Sequence, residues 1–315
     1  MSHLSLVTAP PNPARPGPGV VPETALRALD LTVRRRIESL LAGDHRAASL
    51  GIAMELAQVR PYEPGDDVRL IDWNATARMN EPHVRLHVAE RALTTWLVFD
   101  ASPSMGFGTA LRRKADVAEG VVLAVGHVAS RRGNRLGFLT YGHPDPLYVP
   151  PRQGRVGLVG VLLQLRAVAD IPDDFAIPEA VDGLGAALSR TRRQARDRAL
   201  VVVVSDLRGP RDWGGGLREL AVRNDIIVCE IRDPAEVALP DIGEVVVVDP
   251  ETGNQVRVDT GNRRLRERYA AAAAAERELV AQDIRAAGAH HLLLSTAEDW
   301  LRPLVVGLAN RPILR

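Results

Sequence analysis

The feature that most constrains the fold is an apolar run that ends in a carboxylate. Residues 95–99 read T-W-L-V-F and lead directly into Asp100. An apolar run without polar alternation is typical of a central parallel strand that helices cover on both faces. Residues 199–206 (A-L-V-V-V-V-S-D) repeat the pattern and end in Asp206. Because ligands of such sheets bind beyond the carboxyl ends of the strands, where strand order reverses, we expect Asp100 and Asp206 to face one crevice.

The residues after the first of these strands offer oxygen ligands within one tight loop. Asp100, Ser102 and Ser104 alternate in D-A-S-P-S, and Pro103 restricts the loop by fixing its own φ. One carboxylate and two hydroxyls suit a hard cation such as Mg²⁺ or Ca²⁺. The alternative is that the aspartates cap the helices that follow, since aspartate is favoured at helix N-termini. The two serines favour the metal interpretation for Asp100, whereas for Asp206 both interpretations stay open.

Alternating helical and strand patterns predict an α/β fold with a doubly wound, mostly parallel sheet over residues 93–315. A smaller N-terminal region is expected over residues 22–92, and the Pro/Gly-rich residues 1–21 are expected to form a flexible tail. Helical periodicity covers residues 23–41, 111–131, 156–167, 184–196, 217–222, 263–287 and 296–308. Strand patterns cover residues 83–88, 135–141, 146–149, 226–231 and 290–294, a hairpin is expected at 245–248 and 256–258, and G-G-G at 214–216 is expected in a loop.

Charge and cysteine content exclude several classes of protein. The net charge of +1 provides no overall basic field, so we expect neither nucleic acid nor an anionic membrane as partner. The single cysteine, Cys229, excludes an internal disulfide framework and Cys-rich zinc modules, and its apolar neighbours indicate a buried thiol. No apolar run reaches the length of a membrane span and no signal-peptide pattern is present, so the expected location is the cytoplasm.

Two motifs resemble a known family. The loop of Asp100, Ser102 and Ser104 resembles the metal-ion-dependent adhesion site (MIDAS) of von Willebrand factor type A domains. Upstream, the pattern R-x-Y-x-P-G-D-D-x-R-x-I-D-W followed by A-R is similar to the DUF58 family (domain of unknown function fifty-eight), whose members are often encoded beside MoxR-type AAA+ ATPases. The residues that carry this pattern are Arg60, Tyr62, Pro64, Gly65, Asp66, Asp67, Arg69, Ile71, Asp72, Trp73, Ala77 and Arg78.

The resemblance implies a von Willebrand factor A-like fold and a binding function without catalysis. Asp100, Ser102, Ser104 and Asp206 would hold Mg²⁺, Mn²⁺ or Ca²⁺, and a carboxylate of the partner protein would complete the coordination. The implied partner is a MoxR-type AAA+ ATPase or its client, with this chain as adaptor or co-chaperone. Type A domains also supply a threonine, but residues 179–188 read E-A-V-D-G-L-G-A-A-L and contain none; Asp182 is the alternative ligand.

The DUF58-like segment has two possible roles, a surface for the partner or an internal brace. Its charged residues could pair with each other, and its apolar residues need something to pack against. The residues that we consider for either role are Tyr62, Pro64, Gly65, Asp66, Asp67, Arg69, Asp72 and Trp73.

Two other functions compete with the adaptor. A Mg²⁺-dependent phosphotransfer enzyme could use Asp100 as nucleophile, but Ser102 stands where a general acid is expected. Lys114, which could neutralise a phosphate, is near in sequence but is expected early in a helix, and the later strand ends offer no lysine. The other alternative is a structural scaffold whose metal site is degenerate, which the missing threonine favours. The histidines show no metal-ligand spacing. The adjacent pair His290 and His291 is expected to point to opposite faces of a strand, so it cannot chelate one ion.

Overall fold

The computed structural model of the chain describes residues 17–27, 58–86, 93–130, 134–169, 181–248 and 254–309. These residues form two compact units, a small one of residues 58–86 and a larger one of residues 17–27 and 93–309. Residues 28–57 and 87–92 of the predicted N-terminal region lie outside the described residues, as do residues 1–16. Of the helix predicted over residues 23–41, residues 23–27 are described and are helical.

The small unit is built on one antiparallel pair of strands. Strand β1 (Gln58–Pro61) pairs with β2 (His83–Leu86), which lies within the strand predicted at 83–88. Between them, a 3-10 helix (Val68–Leu70) precedes helix α1 (Trp73–Met79). The connecting segment is therefore ordered by helical turns, although its polar composition predicts a loop.

The larger unit alternates strands and helices. Its elements are β3 (Thr94–Asp100), a 3-10 helix (Pro103–Gly106), α2 (Lys114–Ala129), β4 (Arg135–Tyr141), β5 (Tyr148–Gln153), α3 (Gly154–Ala169), α4 (Leu184–Gln194), β6 (Ala199–Ser205), α5 (Trp213–Ala221), β7 (Asp225–Arg232), a 3-10 helix (Pro234–Glu236), β8 (Glu244–Val248), β9 (Gln255–Asp259), α6 (Arg263–Ala286), β10 (His290–Ser295) and α7 (Leu301–Ala309). None of the helices in the described ranges is both long and apolar enough to cross a bilayer.

The six-stranded sheet has the order β10-β7-β6-β3-β4-β5, in which every pair is parallel except β4 with β5. Strand order reverses at β3, because β4 lies on one side of it and β6 on the other. This is the topology of a doubly wound sheet, whose ligand crevice opens at the reversal. The predicted α/β fold with a doubly wound, mostly parallel sheet is confirmed.

The two strands that flank the reversal form the centre of the core. All seven residues of β6 are buried, and six of the seven in β3. Trp96 and Val98 belong to one buried cluster with Leu188 of α4 and Leu217 of α5. Because both faces of these strands are covered, their apolar runs show no alternation.

Three predicted elements differ from those in the structure. The glycines at 214–216 lie inside α5, which begins at the buried Trp213 and packs closely on α4. The edge strand begins at Tyr148 and tolerates Pro150 and Pro151, since an edge strand needs fewer ladder hydrogen bonds. The last helix begins at Leu301, five residues later than the pattern predicted.

Part of the segment predicted as a tail contacts the larger unit. The indole Nε1 of Trp300 donates a hydrogen bond of 3.0 Å to the carbonyl oxygen of Pro18. A side chain at Gly120 would collide with Trp300 and Pro18, so helix α2 approaches both residues closely. Pro18 therefore packs against α2 and Trp300 through backbone and ring contacts that composition does not reveal.

Candidate functional site

The carboxyl edge of the sheet brings three acidic residues together. Asp100 is the last residue of β3, Asp206 directly follows β6, and Glu236 ends the 3-10 helix that follows β7. Asp100 and Asp206 are each 4% exposed. Since these strands are parallel neighbours, their ends meet at one edge, as the sequence patterns of β3 and β6 predicted.

Five donors and acceptors form a compact network around Asp100. Its Oδ1 accepts hydrogen bonds from the Ser102 backbone N–H (3.0 Å) and hydroxyl (2.6 Å), and the Ser102 Oγ lies 3.0 Å from the Ser104 Oγ. Its Oδ2 accepts hydrogen bonds from the Tyr141 hydroxyl (2.9 Å) and the Ser205 hydroxyl (2.5 Å). The loop oxygens of the predicted cation site therefore lie within hydrogen-bond distance of one another.

Burial dominates the electrostatics of this network. It raises the pKa of the Asp100 carboxyl, and the nearby charge of Asp206 raises that pKa further, while hydrogen bonds from Ser102 and Ser205 offset part of the effect. Burial, together with the charge of Asp100, also raises the pKa of Tyr141 well above its usual value, so its hydroxyl remains a donor at neutral pH. An added positive charge near Asp100 would favour its ionised form.

Gly142 lets the end of β4 approach the Asp100 loop. Its φ is +77°, and a Cβ there would lie 2.9 Å from both the Cβ and the backbone nitrogen of Ser102. The N–H of Gly142 donates a hydrogen bond of 3.1 Å to the backbone oxygen of Asp182. The segment in which type A domains place their threonine is thus anchored at the same edge of the sheet.

Asp182, the alternative ligand to the missing threonine, forms an ion pair with a residue of α4. Its carboxylate Oδ2 forms a 2.8 Å ion pair with the Arg190 guanidinium of α4. The carboxylate is 56% exposed, whereas Asp100 and Ser104 are buried. Asp182 therefore contributes its backbone oxygen to this edge of the sheet, whereas its carboxylate is directed to Arg190 of α4.

Lys114 holds the carboxylates of the other two strand ends. Its Nζ lies 2.5 Å from Oδ2 of Asp206 and 2.7 Å from Oε1 of Glu236, and the lysine side chain is 1% exposed. Burial lowers the pKa of Lys114, but the two carboxylates outweigh burial and raise that pKa above its ordinary value. Oδ1 of Asp206 accepts a hydrogen bond of 3.1 Å from the backbone N–H of Arg208. Asp206 is therefore charge-compensated by a residue of the chain itself.

The residues present fit a hard cation on the Asp100 side of the edge. Asp100, Ser102 and Ser104 supply the oxygen donors that Mg²⁺, Mn²⁺ and Ca²⁺ prefer. Asp206, the fourth predicted ligand, has one carboxylate oxygen bound to Lys114. In the part of the chain that the structure describes, no group of three or more His, Cys, Asp or Glu side chains forms a metal site. A cation here would thus depend on serine hydroxyls and on one carboxylate.

The two histidines of β10 make contacts of their own, away from Asp100. His290 and His291 of β10 contact different groups, His290 through Gly307 O and His291 through the buried Glu230 of β7, 2.7 Å in each case. The prediction that this pair does not chelate one ion agrees with these contacts. Cys229 is fully buried in β7, as its apolar neighbours predicted.

The polar residues of the DUF58-like segment make contacts within the small unit. Arg60 Nη2 forms a 2.6 Å ion pair with Asp66, whose other carboxylate oxygen accepts a hydrogen bond from the Glu63 N–H. Asp67 caps the 3-10 helix through the N–H of Arg69. Both sets of contacts lie within the segment itself.

Of the other members of the segment, Asp72 caps α1, Tyr62 and Gly65 shape the backbone before it, and Trp73 faces solvent. Asp72 caps α1 by accepting from the N–H groups of Asn74 and Ala75. The N–H of Tyr62 donates to the backbone oxygen of Pro82, and Gly65 has a φ of +115°, which explains glycine after Pro64 in the turn. Trp73, in contrast, is 72% exposed.

Sequence reasoning did not identify four residues of the network, namely Tyr141, Ser205, Lys114 and Glu236. Lys114 was expected early in a helix, and it is the first residue of α2. The first turn of α2 lies over the edge of the sheet and directs the side chain to Asp206. One signal could have found it: Lys114 is the only lysine among 40 basic residues. Because all the other residues of the Lys+Arg set are arginines, the single lysine indicates a site that requires a compact ammonium group.

Comparison with known proteins identifies the family. Residues 58–279 match the model of a family described as "Protein of unknown function DUF58". The uncharacterized proteins Mb1516 of Mycobacterium bovis and Rv1480 of Mycobacterium tuberculosis are each 42% identical to this chain over 288 residues, 91% of this chain and 89% of the relative.

The solved structures to which the chain is similar are much more distant in sequence. The conserved hypothetical protein BatB from Bacteroides thetaiotaomicron matches 69% of this chain and 98% of its own, with a TM-score of 0.43 and 13% identity. The VWA domain of SpRpn10 matches 70% of this chain and 96% of its own, with a TM-score of 0.36 and 14% identity. The family match and the mycobacterial relatives, in contrast, cover most of the chain, which therefore belongs to the DUF58 family.

Proposed function

We propose that this DUF58 protein is a non-enzymatic adaptor that binds a partner protein through a divalent cation at Asp100, Ser102 and Ser104. The observation that carries the proposal is the convergence of these three oxygen-bearing side chains at the reversal of strand order. Mg²⁺ is the proposed ion, with Mn²⁺ or Ca²⁺ as substitutes, because all three prefer oxygen ligands. The ion would link the protein's oxygens to an Asp or Glu of the partner.

The chain's own residues prepare the site for binding. Tyr141 and Ser205 donate hydrogen bonds to Oδ2 of Asp100, which orients the carboxylate and leaves Oδ1 to the backbone N–H and hydroxyl of Ser102. Gly142 keeps the end of β4 against Ser102 and restricts the loop to this geometry. A preorganised set of ligands loses little conformational freedom on binding, so more of the interaction energy remains for the complex.

The same contacts favour binding over phosphoryl transfer. Both carboxylate oxygens of Asp100 accept two hydrogen bonds each, which lowers their availability as nucleophiles. The ammonium of Lys114 is held by two carboxylates and is not directed to an open phosphate position. A structural scaffold with a degenerate site is the second candidate, and the observation that favours it is the ion pair between Lys114 and Asp206.

We further propose a MoxR-type AAA+ ATPase as the partner, with the chain acting as adaptor or co-chaperone for its client in the cytoplasm. This choice rests on the DUF58 resemblance. In the small unit, the carboxylates of Asp66, Asp67 and Asp72 act as the brace, and Trp73 is the residue through which the partner could be contacted. An exposed tryptophan is a frequent anchor of protein interfaces.

A pull-down from native extract tests the proposal. The tagged full chain is incubated with Mg²⁺ or with EDTA, next to the variants Asp100→Ala and Asp182→Asn. We expect mass spectrometry to identify an AAA+ ATPase that is retained by the wild type and by Asp182→Asn, and lost with EDTA or Asp100→Ala. Asp182→Asn is the matched control, because it removes an exposed carboxylate at the same edge.

Two results would contradict parts of the proposal. Retention of the ATPase in EDTA and by Asp100→Ala would exclude the cation mechanism and direct attention to Trp73. Failure to recover any AAA+ ATPase with Mg²⁺, while the wild type still binds Mn²⁺ in an Asp100-dependent way, would exclude the partner and keep the cation site.

A further inference from the structure

The most unusual charged group of the larger unit is Lys114. It is 1% exposed, and it is the chain's only lysine, so the other 39 of the 40 basic residues are arginines. Its ammonium bridges Asp206 and Glu236, which follow two adjacent strands, β6 and β7. A lysine in this position is a compact point charge with several donors, whereas the planar guanidinium of arginine needs more room.

The charges around Lys114 are distributed unevenly. Asp206 has an ammonium as partner, and Glu236 has the same ammonium and, at 3.7 Å, the guanidinium of Arg208. Asp100, in contrast, accepts hydrogen bonds from two serines and a tyrosine, all of which are neutral donors. The two aspartates of the predicted cation site therefore differ: one is compensated by the chain and the other is not.

We propose that Lys114 is a built-in counter-ion that weakens cation binding at the site, so that a firmly held ion requires the carboxylate of a partner. This inference rests on the proposed function. With Lys114 in place, the chain offers the ion a single uncompensated carboxylate, that of Asp100. A partner's Asp or Glu supplies the second negative charge, and the cation and the partner consequently bind together.

The physical basis is the sum of charges near the ion. The affinity of oxygen sites for divalent cations increases with the number of charged ligands. An ammonium bound to Asp206 cancels one ligand charge and also repels the ion directly, and in a buried site such interactions are only weakly screened. Removal of the charge of Lys114 should therefore tighten cation binding at least about tenfold.

Direct binding of Mn²⁺ to the full chain tests this inference. Free Mn²⁺ is measured by its paramagnetic resonance signal during titration of the wild type, Lys114→Met and Lys114→Arg. We expect Lys114→Met to bind Mn²⁺ at least about tenfold more tightly than the wild type. Lys114→Arg keeps the positive charge in a larger side chain, so its affinity for Mn²⁺ should not rise above that of the wild type.

A second pair of variants separates the charge effect from misfolding. Lys114→Met combined with Asp206→Asn removes both members of the ion pair and should bring the Mn²⁺ affinity back to that of the wild type. If Lys114→Met alone is unfolded without metal, far-UV circular dichroism should show that it folds on addition of Mn²⁺, since the ion replaces the lost charge. A Lys114→Met chain that stays unfolded in saturating Mn²⁺ would overturn the inference.

The outcomes distinguish this inference from the proposed function. Equal affinities of the wild type and Lys114→Met, both lost on Asp100→Ala, would overturn the role of Lys114 and leave the cation site intact. Absence of Asp100-dependent Mn²⁺ binding in both chains would overturn the cation mechanism itself and, with it, this inference. Tight binding by Lys114→Met alone would support both.

Discussion

Substitution of Gly142 by alanine should disturb the candidate site and the stability of the larger unit together. A Cβ at this position would lie 2.9 Å from the Cβ and backbone nitrogen of Ser102 and 3.1 Å from Oδ1 of Asp100. The φ of +77° adds a cost of about 1 kcal/mol for a residue other than glycine. Displacement of the packed loop adds about 2 kcal/mol, since backbone cannot move aside as a flexible side chain can. The sum of ~3 kcal/mol corresponds to a decrease in Tm of about 6–12 °C for a domain of this size.

Urea denaturation followed by circular dichroism measures this loss, with Gly215→Ala as the matched control. Gly215 lies within α5, where an added Cβ would meet nothing within 4 Å. Alanine there should raise the free energy of unfolding by about 0.5–1 kcal/mol, because it restricts the unfolded chain and favours helix. If Gly142→Ala were as stable as Gly215→Ala, the close approach of β4 to the Asp100 loop would be refuted.

Three further predictions concern stability. Asp233 is fully buried and accepts hydrogen bonds from two threonine hydroxyls and from backbone amides, so Asp233→Ala should lower the free energy of unfolding by at least ~3 kcal/mol in urea titrations. Burial tends to raise the pKa of Glu230, but hydrogen bonds from His291 and a neighbouring arginine outweigh it and lower that pKa. The ionised carboxylate thus stabilises the fold above its unfolded pKa, and this contribution is lost as pH falls through the folded value. The difference in the free energy of unfolding between the wild type and Glu230→Gln should accordingly shrink as pH falls from about 5 to about 3. A difference that stays constant over this range would contradict the prediction. Trp73→Ala should change the free energy of unfolding by less than ~0.5 kcal/mol, because Trp73 is exposed. Trp213 is 2% exposed, so Trp213→Ala should lower the free energy of unfolding by about 3–5 kcal/mol.

The strand patterns were the most informative part of the sequence. Both apolar runs that end in aspartate are buried parallel strands, and they are neighbours in the sheet. The pattern is reliable because a strand covered on both faces tolerates few polar residues, so the burial of the strand can be read from its residue types. Element boundaries were less accurate where tertiary contacts override local preference. Trp213 starts a helix through three glycines because its side chain is buried against the core.

The α/β fold, the DUF58-like segment and the loop of Asp100, Ser102 and Ser104 could be predicted from the sequence, because each of them is recognisable from a local pattern. The residues that surround Asp100 and Asp206, in contrast, are set by tertiary contacts. Ser205 is 105 residues from Asp100, and Lys114 is 92 residues from Asp206. No periodicity links residues so far apart. Their meeting depends on strand order and on the position of the first turn of α2, and hence on the packing of the whole sheet.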